Sequence, residues 1–192
     1  SEILMREVSI IGSKYNVKDI AGSAAFLDVQ DIREHGVDDI NRVLRRVPGV
    51  NLREEDGYGL FPNISLRGVD SARTSKVTVM EDGILIAPAP YASPAAYYSP
   101  TAGRMEGIEV RKGSTQIKHG PFTTGGSLNY LSTSIPMEQH NSVSLEFGNF
   151  GKTVLHAKSG DTMGKLGYLV ELFTDNTDGF KELDGGGDTG YS

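Results

Sequence analysis

The chain contains no cysteine. That absence removes thiolate nucleophiles, disulfides and cysteine-ligated zinc sites together. Tryptophan is also absent. Long apolar runs are missing too. The longest uncharged stretch lies between Asp82 and Arg104 and carries Pro88, Pro90, Pro94 and Pro100, so it cannot form a spanning helix. The opening residues Ser1-Glu2-Ile3-Leu4-Met5-Arg6 lack the basic start and apolar core of a secretory leader. With no initial Met, the chain reads as a mature or trimmed product. Positive charge is in deficit, with 19 Lys and Arg against 25 Asp and Glu and a net charge of -6. Only Arg45-Arg46 and Arg111-Lys112 are adjacent cations. A nucleic-acid binder needs a basic stripe on the phosphate backbone, so that class is excluded.

What is abundant is glycine, 24 of 192 residues, well above the usual ~7%. Many turns and short strands are implied. The length suits one ordinary domain, or a small domain with an appendage. Val8-Ser9-Ile10-Ile11 is a short extended run closed by Gly12. Residues 14–28 read as loop with an extended piece around Phe26-Leu27. One or two helical turns cover Asp28–Arg33 and end at Gly36. The clearest helix is 37–46, where Ile40, Val43, Leu44 and Val47 recur at helical spacing. Asp38 and Asp39 fall in its first turn and Arg42, Arg45 and Arg46 fall late, which suits the helix dipole. Pro48-Gly49 ends it.

From residue 50 the texture is one of short strands: Val50–Arg53, Ile64–Arg67, Lys76–Glu81, Ile84–Ile86, Met105–Arg111 and Ser127–Leu131. Asp82-Gly83 between two apolar runs predicts a hairpin, because both turn positions tolerate positive φ. After Pro136 the strands lengthen and alternate. Val143, Leu145 and Phe147 share one face, as do Leu166, Tyr168, Val170 and Leu172. Such segments fit transmembrane β-barrel strands and soluble antiparallel meanders alike.

No catalytic constellation emerges. His35, His119, His140 and His156 form no H-x-x-H or H-E-x-x-H pair and read as surface or loop residues. Asp184-Gly185-Gly186-Gly187-Asp188 lacks the spacing of a calcium loop and reads as a flexible turn. Glu54-Glu55-Asp56 reads as a solvated loop face. The glycines from Gly120 to Gly126 fit no phosphate-binding fingerprint. The uncharged segment from Ala87 to Ala102 is more informative. Its four prolines stiffen it, so less entropy is lost on binding. Tyr91, Tyr97 and Tyr98 add flat apolar area with a hydroxyl. It reads equally as a ligand-contacting loop or as a loop packed on another domain. Arg67 and Arg111 stand at strand ends, where isolated arginines usually face solvent.

Five motifs in order then carry a resemblance. Leu44-Arg45-Arg46-Val47-Pro48-Gly49-Val50 resembles the "L..vPGV" helix end of TonB-dependent outer-membrane receptors. Asn63-Ile64-Ser65-Leu66-Arg67-Gly68 resembles their "isiRG" strand. Val77–Gly83 resembles "v.vl.DGi", and Ile108-Glu109-Val110-Arg111-Lys112-Gly113 resembles "IEVlrG". Gly125-Gly126-Ser127-Leu128-Asn129-Tyr130 is similar to the start of "GG.iN.vT", with Ser132 standing where the pattern has Thr. The resemblance implies an α+β plug domain with a small mixed sheet and short helices, lodged in a barrel of about 22 strands. Residues 1–13 would hold a TonB-box-like coupling segment, Glu7, Val8, Ser9, Ile10 and Ile11. This run departs from the commonest pattern at Ser9 and Ile11, and read plainly it is the first plug strand. Residues 14–136 would be the plug, and 137–192 the first antiparallel barrel strands. Those 56 residues suffice for only about four spanning strands of 9–11 residues, so the barrel begun here is incomplete, and the chain reads as the N-terminal piece of a larger receptor.

The implied function is transport rather than catalysis. A ferric chelate, a siderophore or iron citrate, would be bound and imported with work transmitted by TonB. The run Ile86–Tyr91 followed by Pro94 and Tyr97-Tyr98 looks most like the ferric-citrate branch. Tyr58, Phe61, Tyr91, Tyr97 and Tyr98 are the ligand-facing candidates. The family's two plug arginines match Arg67 and Arg111, which in relatives pair with barrel glutamates and lock the plug. No resident cofactor or metal is implied, since iron would arrive chelated. The implied partners are TonB, the ligand, the chain's own barrel and outer-membrane lipid. The implied location is the bacterial outer membrane, with the plug in the lumen and its N-terminus facing the periplasm. Alternatives are a soluble plug-like module working without a barrel, or a receptor for cobalamin or a carbohydrate.

Overall fold

A computed structural model describes residues 11, 17, 23–35, 39–55, 59–69, 74–87, 98–113, 124–179, 182–183 and 187–188. The chain divides into two compact units, Ser1–Thr133 and Ser134–Ser192.

The first unit is built on a five-stranded sheet. Its strands are β1 (Ser23–Asp28), β4 (Val77–Glu81), β5 (Ile84–Ala87), β6 (Met105–Lys112) and β7 (Gly126–Ser132), in the order β1-β6-β7-β4-β5. The β4–β7 pair is parallel and the others are antiparallel, so the sheet is mixed. A separate hairpin pairs β2 (Val50–Leu52) with β3 (Ile64–Leu66). One helix, α1, spans Val29–His35, and a 3₁₀ helix spans Ile40–Arg46.

Register shows how the two faces of this sheet differ. Cross-strand partners point to the same side. Ile108 opposes Tyr130 and Val110 opposes Leu128, and Val79 pairs with Leu128 on the other flank. These residues are buried together with Val43, Leu44, Ile64 and Leu66, which makes this face the hydrophobic core. The opposite face carries Glu109, Asn129, Ser127 and Thr78. These polar side chains are buried as well.

Several sequence expectations are met. Asp82 and Gly83 take φ of +49° and +77° between paired β4 and β5. Ile40, Val43, Leu44 and Val47 are all buried. Others are revised. The segment around Phe26-Leu27 is a full edge strand, because pairing with β6 supplies hydrogen bonds that local propensity does not reveal. The first helix, Val29–His35, stops where the sequence places its end, before Gly36. The second is a 3₁₀ helix beginning at Ile40. Asp39 is its N-cap rather than a first-turn residue: its backbone is extended and its carboxylate accepts the Asn41 N–H at 2.8 Å, the usual way of satisfying an orphan donor.

The second unit is an antiparallel meander of β8 (His140–Phe147), β9 (Thr153–Met163) and β10 (Leu166–Asn176). Val143 opposes Ala157, which opposes Leu172, and Leu145 opposes Leu155. This apolar face is open: Val143 is 72% exposed, Phe147 79% and Val170 66%. The other face carries Ser142, Ser144, Glu146, His156, Lys158, Glu171 and Asp175. His156 is thus not a surface or loop residue. It sits within β9, half-buried, 2.6 Å from the Glu171 carboxylate and edge-on to Phe173. The Asp184–Gly190 run is also less featureless than its composition suggests, since Gly187–Asp188 pairs with Glu182–Leu183. No described helix is long and apolar enough to cross a membrane, which does not bear on strands.

Candidate functional site: plug apex, cationic end and N-terminal anchor

Three arrangements in the first unit stand out. At the end where β4 and β7 finish and β6 begins, Tyr98, Glu81 and Arg104 form a triangle. The Tyr98 hydroxyl donates to Glu81 Oε2 at 3.1 Å. Arg104 donates to Glu81 Oε1 at 2.9 Å and to the Tyr98 oxygen at 3.1 Å. Burial raises the Tyr98 pKa, and Glu81 raises it further. Burial works against the Arg104 charge, but the Glu81 carboxylate outweighs it and the net shift is upward. Tyr98 therefore stays a phenol and Arg104 a cation at neutral pH. Tyr98 is 46% exposed, and Leu60 and Phe61 are exposed as well. Chemically this end offers phenol, guanidinium and apolar surface to a ligand.

A buried side chain holds the same end together. Asn41 shares its amide protons among Asp39 Oδ1 at 2.9 Å, Ser99 Oγ at 3.0 Å and the Gly59 carbonyl at 3.4 Å. Its oxygen accepts the Tyr130 hydroxyl at 2.7 Å. One residue therefore ties both exposed segments, around Gly59–Phe61 and Tyr98–Ser99, to the core sheet. Gly59 is required here. Its φ is +76°, and a Cβ would lie 2.1 Å from Asp39 Oδ1. Burial raises the Asp39 pKa against the opposing pull of its bonds from Asn41.

The opposite end of the sheet is cationic. Arg67 and Gly68 take positive φ in the turn after β3, and the Arg67 N–H donates to the Gly49 carbonyl at 2.8 Å. The Arg67 guanidinium lies over Gly113, where a Cβ would stand 3.1 Å from it. Lys112 Nζ donates to the Pro48 carbonyl at 2.6 Å, and burial, with Arg67 nearby, lowers its pKa. Arg111 is not the solvent-facing strand-end residue its position suggests. Its Nε is buried without a hydrogen-bond partner, and so is the Ser127 hydroxyl directly opposite on β7. Among the described residues neither Arg67 nor Arg111 enters an ion pair. Gly126 permits the close approach of β6: a Cβ there would lie 2.4 Å from the Arg111 carbonyl oxygen.

The third arrangement sits on the polar face. Glu109, 1% exposed, accepts the Ile11 main-chain N–H at Oε1 (2.6 Å) and the Asn129 amide at Oε2 (2.9 Å). Asn129 in turn accepts the Gly83 N–H at 2.8 Å.

Of the residues singled out from sequence, Ile11, Phe61, Arg67, Tyr98 and Arg111 fall where the structure describes them. Glu7, Val8, Ser9, Ile10, Tyr58, Tyr91 and Tyr97 lie outside the described residues. Phe61 and Tyr98 belong to segments gathered by Asn41; Arg67 and Arg111 share the cationic end. Sequence reasoning missed Asn41, Glu81, Arg104, Glu109 and Asn129. A usable signal existed for two of them: Glu109 and Asn129 each interrupt an apolar strand and lie directly opposite one another. The acidic run is partly structural, with Glu54 paired to Arg42 and Arg45 at 3.0 Å. Among the described residues no cluster of three or more potential metal ligands occurs.

The sequence profile of the TonB-dependent Receptor Plug Domain matches residues 16–127. The chain belongs to this family. The vitamin B12 transporter BtuB of Vibrio vulnificus (strain CMCP6) is 28% identical over 149 residues, covering 74% of this chain and 24% of its own length. The ferric citrate transporter FecA, solved in its unliganded form, superposes with a TM-score of 0.69 at 26% identity, over 87% of this chain and 27% of that one. The ferric yersiniabactin uptake receptor FyuA of Yersinia pestis gives a TM-score of 0.65 at 20% identity, over 91% and 28%. The chain thus spans about a quarter of the length of these relatives. The mixed sheet with few short helices, followed by antiparallel strands, is the plug and barrel start of this family's fold. The family's members are transport receptors, not enzymes.

Proposed function

We propose that this chain is the plug and first wall strands of an outer-membrane receptor that imports a ferric chelate with work delivered by TonB. The observation carrying this reading is the FecA likeness, which extends over 87% of the chain. The open apolar face of β8–β10 supports a wall facing lipid, with its polar face toward a lumen. Tyr58, Phe61, Tyr91, Tyr97 and Tyr98 meet the ligand at the outer end. Arg67 and Arg111 await carboxylates of the barrel; the buried, unpartnered Arg111 Nε fits such a role, since bidentate guanidinium–carboxylate pairs are strong and directional. Residues Glu7–Ile11 add as a strand to TonB, with backbone hydrogen bonds supplying affinity. Ligand binding shifts that segment between docked and released states, on the periplasmic side.

The test is binding of the TonB C-terminal domain to the intact receptor, with and without Ile10→Pro. Loss of binding on substitution is expected; equal binding would sink the coupling role. A second reading, cobalamin transport, is favoured by the 28% identity to vitamin B12 transporters. Equilibrium binding of ferric citrate against cyanocobalamin decides between them, with ferric citrate expected to bind and Tyr98→Ala to weaken it.

A further inference from the structure

A carboxyl group at the centre of a sheet, almost wholly withdrawn from water, requires partners for its oxygens. Both oxygens of Glu109 have them, and the two differ in kind. Asn129 lies on the neighbouring strand and belongs to the plug sheet itself. Ile11 lies 98 residues away in sequence, and its bond to Oε1, at 2.6 Å, uses the main-chain N–H. Ile11 is also buried, at 5% exposure. We infer that Glu109 is a positioning residue, a catch that fixes the N-terminal segment to the plug sheet through the Ile11 N–H.

Two consequences follow from the chemistry. A partner that adds as a β-strand takes alternate main-chain N–H groups, and the one at Ile11 is already occupied, so a register that uses it must break the Glu109 bond. A load on the N-terminal segment also reaches the middle of β6, which is paired on both flanks with β1 and β7. That the segment is the TonB-coupling element rests on the function proposed above; the catch itself rests on the geometry.

The cysteine-free chain gives the experiment a clean probe. Ser9→Cys supplies the only thiol of this chain, any cysteine elsewhere in the receptor is replaced by serine, and the rate of its reaction with a hydrophilic maleimide is followed in the intact receptor in detergent micelles. Against that background Ile11→Pro removes the donor and Glu109→Ala removes the acceptor. Both should label about tenfold faster, the scale expected for losing a hydrogen bond to a carboxylate. Ile11→Val keeps the N–H and most of the buried side chain and should change the rate little. Glu109→Gln keeps an acceptor oxygen and should fall between. An unaltered melting temperature in Ile11→Pro separates release from unfolding. Wild-type labelling rates in Ile11→Pro, or equal acceleration in Ile11→Val, would overturn the catch. If labelling accelerates as expected while Ile10→Pro leaves TonB binding intact, the coupling role fails and the catch stands. The reverse result removes the catch alone.

Discussion

The two sheets of this molecule use the same alternation and end in opposite places. In the plug sheet the apolar face of β4, β6 and β7 is covered, and Leu128 and Val110 are wholly buried. In the β8–β10 meander the apolar face is left open. Hydrophobic burial therefore holds the first sheet against helices, whereas the second presents its apolar side chains outward. On the function proposed above, what differs is the solvent each meets: water around the plug, lipid against the wall. A period of two sets which residues share a face, and the surroundings set which face is inside.

The sharpest way to break this comparison is to make the same cut in both sheets. Leu128→Ala should destabilise the plug by about 2–5 kcal/mol, as for other large-to-small changes in packed cores. Leu145→Ala on the open face should cost under about 1 kcal/mol. Denaturant titration of the intact receptor measures both, and equal losses would mean the second face is also a protein core. Charge gives the next largest contrast. Val143→Arg should cost about 2–4 kcal/mol of stability in a bilayer if its face meets lipid, while Ser144→Arg one position on should cost far less. Refolding into lipid vesicles reads the difference, and its absence would place both faces in water. A third test sharpens the account of plug packing. Gly126→Ala puts a methyl group 2.2 Å from Leu66 Cδ1, and about 1–3 kcal/mol should be lost by overpacking, visible as a lowered melting temperature.

The smallest effect concerns the plug's polar interior. The Asp39 pKa is raised above its ordinary 3.8 by burial. The folded state thus favours the protonated carboxyl. Stability from this group is fully present below its unfolded pKa and is lost as pH rises through the folded one. Asp39→Asn cannot ionise and keeps an acceptor for Asn41. It should be more stable than the parent by under about 1 kcal/mol at pH 7, with the gain vanishing near pH 4. A parent that is the more stable at pH 7 would contradict the assignment.

How much was legible in the sequence follows from how local each signal is. Asp82-Gly83 was readable because turn chemistry resides in the turn. The helical spacing of Ile40, Val43, Leu44 and Val47 was readable because four residues within two turns encode a buried face. The five ordered motifs gave the plug fold. The strand at Phe26-Leu27 was readable only as a short extended piece, since the rest of it owes its structure to pairing with β6, far along the chain. Asn41 and Glu109 escaped for the same cause: their partners lie 58, 89 and 98 residues away. His156 was misread because a histidine on a polar strand face looks exposed until the opposite strand supplies Glu171 and Phe173. Arg111 does stand at a strand end, but β1 and β7 flank it on both sides and bury its Nε, which position along the chain does not show.

The polar face of the plug sheet has a mechanical consequence. A surface of leucine and valine adheres, because pulling it open exposes hydrocarbon to water all at once. A surface of Thr78, Ser127, Asn129 and Glu109 behaves otherwise. Its bonded groups exchange one hydrogen bond for another as water enters, and the unpartnered Ser127 hydroxyl gains one. It works as a wetted bearing, along which a neighbouring segment can be drawn off stepwise while the dry side of the same sheet keeps the plug intact.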